Sequence, residues 1–249
     1  MSVTPIHQVE NSLAEERRDL ATAFRWTARL NMHEGIANHF SLAVSDDGTR
    51  FLLNPYGRHF SQMRASDLML LDARNAADGQ RGDVDPTAWC IHGAIHRKLP
   101  HARCILHVHS KYATVLSTLQ DSTLPPIDQT TMRYFNRVAV DDGFDGMGLG
   151  DEAERLAGTI GNCSTLIMGN HGLLVVGETV ARTFDNLYYF ERAAETVINA
   201  YQTGKPLRIA SDEVAEKTAR QWEGYPDMGE RHFTALKDIL DREEPEYRD

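Results

Sequence analysis

Cysteine is scarce and scattered. Cys90, Cys104 and Cys163 are odd in number, lie far apart and form no C-x-x-C, which argues against both a disulfide framework and a thiolate zinc site. They read as small buried residues. Long apolar runs are also missing. None approaches the roughly 18 residues of a membrane span, and the polar start MSVTPIHQVENSLAEERRDL lacks the apolar region of a signal peptide. The expectation is a soluble, cytoplasmic protein with no membrane partner. No long Lys/Arg cluster occurs and the formal net charge is −10, which speaks against nucleic acid or an anionic membrane surface as partner. Small anionic substrates are not excluded, since one arginine or a bound dication reverses the sign of the local field.

What is present suffices for a sizeable core: 249 residues with 41% hydrophobic content, no internal repeat and no low-complexity linker. One domain over 1–249 is expected, with 205–249 as a C-terminal helical extension. Ser12 and Glu15 form an S-x-x-E capping box, and Leu20, Phe24 and Ala28 with Ala23, Thr27 and Leu30 recur at helical spacing, so a first helix is expected from about 12 to 31. NHFSLAV, SDDG and TRFLLN read as a hairpin, and LMLLD as a third strand. Asp85 and Pro86 are placed to cap and to start a helix that turns Ile91, Ile95 and Leu99 inward. Ser110 is placed to cap a short helix ending near Leu119. RVAVDD reads as a strand, GDEAERLAGTIG as a helix, and STLIMGNHGLLVVG as two apolar runs around a turn. Thr179 and Gly204 bracket a long helix whose Tyr188, Tyr189 and Phe190 read as core. Beyond 211 the chain is charged and helical, with Trp222, Phe233, Leu236 and Leu240 available for packing. Mixed strands and helices in one chain point to an α/β/α sandwich around a largely antiparallel central sheet.

The chemistry concentrates in CILHVHSKYATV, residues 104 to 115. Side chains alternate across a strand, so His107 and His109 project from the same face. Two neutral imidazoles at a strand end suit a borderline metal ion, although each could equally bond a loop carbonyl. In GNHGLL, His171 occupies a turn flanked by glycines that let another backbone or a ligand come close. It is a third candidate ligand.

IHGAIHRKLPHARCILHVHS, FLLNPYG and GNHGLLVVG, in that order and spacing, resemble the class II aldolase/adducin family. FLLNPYGRHF and MRASDL place the resemblance in its adducin-like branch. The resemblance extends from about Asn38 to Tyr201. It implies the same fold and makes His107, His109 and His171 the ligands of one divalent metal ion per chain: Zn, Mn, Fe or Co. It also implies a homotetramer with sites at subunit boundaries.

Several positions depart from the sugar-phosphate aldolases of that family. The acidic residue expected four places before His92 is Ala88, and the tyrosine expected after the P-x-I segment is Gln129. The phosphate-cradling pairs become Ala37-Asn38, Tyr56-Gly57 and Pro86-Thr87, so most of the small hydroxyl donors are gone. Asn38, Gly57 and Thr87 remain as substrate-binding candidates, and Arg58 offers a planar fork for a carboxylate. His92 reads either as a core histidine or as the acid/base group beside the metal, with Tyr134 as another proton donor. His59, Asp128 and Arg133 are weaker candidates that also fit surface or packing roles. A retained triad without the acid suits decarboxylation, which needs an electron sink and a proton donor but no strong base at carbon. The expected function is a metal-dependent carbon–carbon lyase, first a decarboxylase of a small hydroxylated or aromatic carboxylic acid. The alternatives are an aldolase on a small hydroxy-carbonyl substrate, an adducin-like binding module without catalysis, and a non-haem iron oxygenase.

Overall fold

The computed structural model describes residues 13–147, 149, 151–225 and 227–249. Seven strands form one sheet in the order β3-β2-β1-β4-β7-β6-β5: β1 (His39–Ala43), β2 (Arg50–Leu53), β3 (Met69–Asp72), β4 (Cys104–Val108), β5 (Val138–Asp141), β6 (Thr165–Met168) and β7 (Gly172–Gly177). Among the described residues only β5 and β6 pair in parallel; the other pairings are antiparallel. The helices are α1 (Ala14–Arg29), α2 (Pro86–Lys98), α3 (Lys111–Ser117), α4 (Gln129–Met132), α5 (Glu152–Ile160), α6 (Val180–Gln202), α7 (Asp212–Glu223) and α8 (Met228–Glu243). The expected α/β architecture around a largely antiparallel sheet is what the chain forms. Among the described residues, no helix is long and apolar enough to cross a membrane.

Strand alternation sorts the core into two sides. Cys104, Leu106 and Val108 of β4 pack with Phe24 of α1 and Phe184, Leu187 and Phe190 of α6. Ile105, between them in sequence, packs on the opposite face with Ile91 and Ile95 of α2 and Leu156 of α5. His107 has the parity of Ile105 and therefore emerges on the α2 side, at the end of the strand. Tyr188 and Tyr189 pack partly buried against the fully buried Phe190 and its neighbours, as the apolar spacing predicts.

The helix boundaries show which local signals operate. Asp85 caps α2 by accepting from the Thr87 and Ala88 amides, with Pro86 in the first turn. Thr179 caps α6 through the Arg182 amide at 3.2 Å. α1 begins at Ala14 and runs two residues shorter than expected at its far end, stopping where Asn31 adopts φ 54°. The Ser12 half of its expected capping box lies outside the described residues. Ser110 corrects the sequence reading: its hydroxyl does not cap α3 but donates to Glu191 Oε2 of α6 at 2.6 Å. Glu191 is itself the cap, accepting from the Tyr112 and Ala113 amides at 2.8 and 3.0 Å. The chain from α8 onward clasps α1. Trp26 donates to the Leu236 carbonyl at 3.0 Å, Arg25 meets Glu244 at 2.8 Å, and Leu240 packs on Ala21.

Glu191 is buried and satisfies three donors at the start of α3, directly after His109. Glu191→Ala is expected to lower folding stability by about 2–4 kcal/mol, since buried donors lose a charged acceptor. Urea titration measures this, and an unchanged midpoint would show that water replaces the carboxylate without loss.

Candidate metal centre

The three histidines predicted as ligands converge. Their ligand atoms lie within 4.8 Å of one another, and among the described residues they form the group of His, Cys, Asp or Glu side chains that could hold an ion. Each pair of rings has its centroids 4.9 Å apart. His107 and His109 come from the end of β4, and His171 from the turn joining β6 to β7. That turn needs its small residues. Asn170 sits at φ 56°, and a Cβ on Gly172 would stand 2.6 Å from the Val108 carbonyl oxygen and 3.0 Å from the His109 ring.

Hydrogen bonds behind the rings fix two of the lone pairs. His107 Nδ1 donates to the Leu173 carbonyl at 3.0 Å, and His109 Nδ1 donates to Glu34 Oε2 at 2.7 Å. A neutral ring bonded in this way carries its hydrogen on Nδ1 and presents a bare Nε2. The two Nε2 atoms are 3.1 Å apart. Two facing lone pairs at that distance repel unless a cation lies between them, and a divalent ion fits this donor set. His171 has its Nδ1 buried without a hydrogen-bond partner. Burial pushes the His107 pKa well below its ordinary value, reinforced by the neighbouring histidines, and pushes His171 down to about 4. At neutral pH an ion therefore meets unprotonated nitrogens on both.

The other candidates divide. Asn38 is buried beside the triad, accepting from the Glu34 amide at 2.8 Å, and its Nδ2 has no partner. Gly57 turns the β2–β3 loop at φ 83°. Arg58 follows it, pairing through Nη2 with Asp67 at 3.1 Å while its Nε stays buried without a partner. The register Ser41↔Leu53 carries this loop past the start of β1, so Asn38 and Arg58 share one end of the sheet with the triad. Thr87 Oγ1 donates to Asp85 at 2.6 Å and lies 3.4 Å from His39 Nε2. His59 caps a short turn through the Ser61 amide, and Asp128 caps α4 through the Thr131 amide.

His92 and Tyr134 do not join the triad. His92 is fully buried between His39, at 2.6 Å, and the Ser41 hydroxyl, so its ring meets those two groups and not the triad. Helical spacing gave its face but not its depth. Tyr134 donates its hydroxyl to the Asn186 carbonyl at 2.8 Å and meets Phe190 edge to face. Burial pushes its pKa well up. With Arg133, Asp185 and Trp222 it lines a cavity of about 420 Å³ that reaches Gly177, at the opposite end of β7 from His171. Arg133 is held there by Asp185 at 2.9 Å and by the ring of Tyr189.

Sequence reasoning missed Glu34 and His39. Glu34 is exposed and 75 residues from the ring it orients. His39 lies opposite His107 in the β1–β4 register, with ring centroids 4.9 Å apart. The strand register reveals His39, and Glu34 is revealed only by the folding of the loop before β1 onto His109.

Glu34→Gln is expected to weaken metal affinity by about tenfold or more, the usual cost of losing a carboxylate behind a ligand, and His109→Ala is expected to abolish binding. Elemental analysis and competition with a chelator measure both. A second expectation concerns pH. Burial pushes His96 down to about 4 and His92 well below the ordinary value, so both stay neutral in the fold while the unfolded chain takes up protons near 6.5. Stability is therefore complete above about pH 6.5 and falls as pH drops from there towards 4, by at most about 1.4 kcal/mol per pH unit for each histidine. Urea midpoints across that window, with a flatter slope in His96→Gln, check the sign.

Comparison with known proteins agrees with the geometry. The family model for the Class II Aldolase and Adducin N-terminal domain matches residues 18–198. The crystal structure of an aldolase II superfamily protein from Pseudomonas syringae superposes with a TM-score of 0.85 and 32% identity, covering 95% of this chain and 96% of that one. Decarboxylase NovR of Streptomyces niveus is 30% identical over 94% of this chain and 92% of its own. An adducin-related protein of Schizosaccharomyces pombe is 30% identical over 93% of this chain and 72% of its own. The matched span carries the sheet, the triad and α2, and the chain belongs to the class II aldolase/adducin family.

Proposed function

We propose that the protein is a divalent-metal-dependent carbon–carbon lyase and, within that class, a decarboxylase of a small hydroxylated or aromatic carboxylic acid. The observation that carries this reading is a convergent histidine triad in a chain whose counterpart of the family's helix acid is Ala88, a buried residue packed among Phe51, Leu53 and Leu71. Proton abstraction from carbon would need a base there; loss of CO2 does not. When bound, a divalent ion supplies Lewis acidity that polarises a carboxylate and a neighbouring oxygen. The residues around it offer what a carboxylic acid requires. Asn38 Nδ2 and Arg58 Nε are buried donors without partners at this end of the sheet, and an unpaired buried donor is stabilised by an anionic acceptor. Glu34 and the Leu173 carbonyl hold two ligand rings in place, so the ring positions are set before substrate arrives. His92 and Tyr134 are committed elsewhere, and proton delivery is not assigned to them. The decarboxylase name of the relative NovR supports the reaction class but not a substrate.

Release of CO2 from a panel of hydroxylated aromatic dicarboxylic acids tests the reading. Turnover of at least one by metal-loaded protein is expected, together with loss in His109→Ala and a several-fold fall in Arg58→Ala. No turnover on any acid, with cleavage of a ketol instead, would transfer the assignment to aldol chemistry.

A further inference from the structure

A chain of buried polar groups runs from the far side of α2 to the metal centre. His96 Nδ1 donates to the Ala102 carbonyl at 2.7 Å, and His96 Nε2 lies 2.7 Å from the Ser41 hydroxyl. Ser41 also meets His92 Nδ1, and His92 Nε2 lies 2.6 Å from His39 Nδ1. His39 Nε2 is 3.4 Å from Thr87 Oγ1, and Thr87 is 2.6 Å from Asp85 Oδ1.

Both ends of this chain are pure acceptors, which fixes the protons between them. The Ala102 carbonyl requires the hydrogen of His96 on Nδ1, leaving Nε2 bare to accept from Ser41. Ser41, having given its only proton, accepts from His92 Nδ1. His92 Nε2 is then bare and accepts from His39 Nδ1. Neutral His39 is left with a lone pair on Nε2. The reverse direction would need protons on both nitrogens of His96, and burial opposes that charge by holding His96 at about 4. From the other end, Asp85 takes the Thr87 hydroxyl proton as well as two backbone amides. His39 Nε2 and Thr87 Oγ1 therefore face each other as two acceptors with no proton between them. A ligand group reaching this corner beside His107 meets acceptors only and is bound there as a donor.

We propose that His39 is a substrate-binding residue whose Nε2 accepts a hydrogen bond from a hydroxyl next to the substrate carboxylate, making the site selective for hydroxy acids over their deoxy counterparts. This rests on the carboxylic-acid reading of the site and adds a substrate class to it. A donor hydroxyl fills the corner with one hydrogen bond. A deoxy acid leaves the imidazole lone pair buried and unpaired.

Mandelate and phenylacetate differ only in that hydroxyl and serve as probes. Calorimetry on metal-loaded protein is expected to show tighter binding of mandelate. His39→Phe is expected to cost about tenfold in mandelate affinity, with phenylacetate affinity and metal content unchanged; rescue by His39→Gln, whose amide oxygen can accept, would support the role. A chelating hydroxyl would favour mandelate without His39, so an unaltered mandelate affinity in His39→Phe overturns the proposal. The second readout needs neither metal nor ligand. Nitrogen-15 spectra of the metal-free protein are expected to show His39 Nε2 as an unprotonated, pyridine-type nitrogen, assigned by its loss in His39→Phe. A protonated Nε2 there overturns the proposal too. If His39→Phe does not fold, Ser41→Ala breaks the chain without touching ligand, and is expected to mix the His39 tautomers and narrow the gap between the two acids; an unchanged gap counts against it. Failure of metal-loaded protein to bind either acid overturns the carboxylic-acid reading itself, and the nitrogen spectrum still decides the His39 tautomer independently.

Discussion

Two imidazole nitrogens held 3.1 Å apart, each with its lone pair forward, form an arrangement that neutral protein groups do not adopt without restraint. The restraint comes from behind. A strand carbonyl at Leu173 and a loop carboxylate at Glu34 each take the hydrogen from the rear nitrogen of a ring, so the repulsion in front cannot be relieved by a change of tautomer. The sheet order supplies the strand half of that restraint. Strand β4 lies between β1 and β7, which places His39 on one side of His107 and the Leu173 carbonyl on the other. Moving β4 by one residue in either pairing would turn His107 to the opposite face. Register, set by the apolar alternation on both sides of the strand, is thus also what assembles the site.

The sequence was legible where the signal is local. H-x-H on an apolar strand, a histidine between turn glycines, and Asp-Pro at a helix start each state their geometry within a few residues, and the structure shows all three. It was illegible where depth or a distant partner decides. The spacing along α2 gives the correct face for His92, yet a whole imidazole stands between it and the triad. Ser110 sits at the start of a helix as a capping residue should, but a buried carboxylate 81 residues further on takes that role. Glu34 resembles any loop glutamate until the fold brings His109 to it. Tyr134 is a similar case: its stretch of sequence is near the family's tyrosine position, but its hydroxyl is spent on the backbone of α6.

The polar content of this core is unusual in kind. Among the described residues four histidines, His39, His92, His96 and His107, are buried; His96, His92 and His39 join through Ser41 in one chain, in which every ring nitrogen except His39 Nε2 donates or accepts under a rule imposed by its neighbour. Burial that would be costly for separate imidazoles is offset by continuity, because each desolvated donor finds the next acceptor. The same continuity makes the chain directional. A carbonyl outside the site, at Ala102, determines which nitrogen of His39 faces into it.

The three ligands are not tethered alike. His107 and His109 stand on a central strand and are hydrogen-bonded from behind, whereas His171 rides on a turn with a left-handed residue before it and a buried Nδ1 that has no partner. The turn backbone is itself anchored, Gly169 to the Asp141 carbonyl and Asn170 to the Ser117 carbonyl, so the His171 ring is placed by main chain alone. In the lyase proposed above, it is the ring that a bound ion would have to orient.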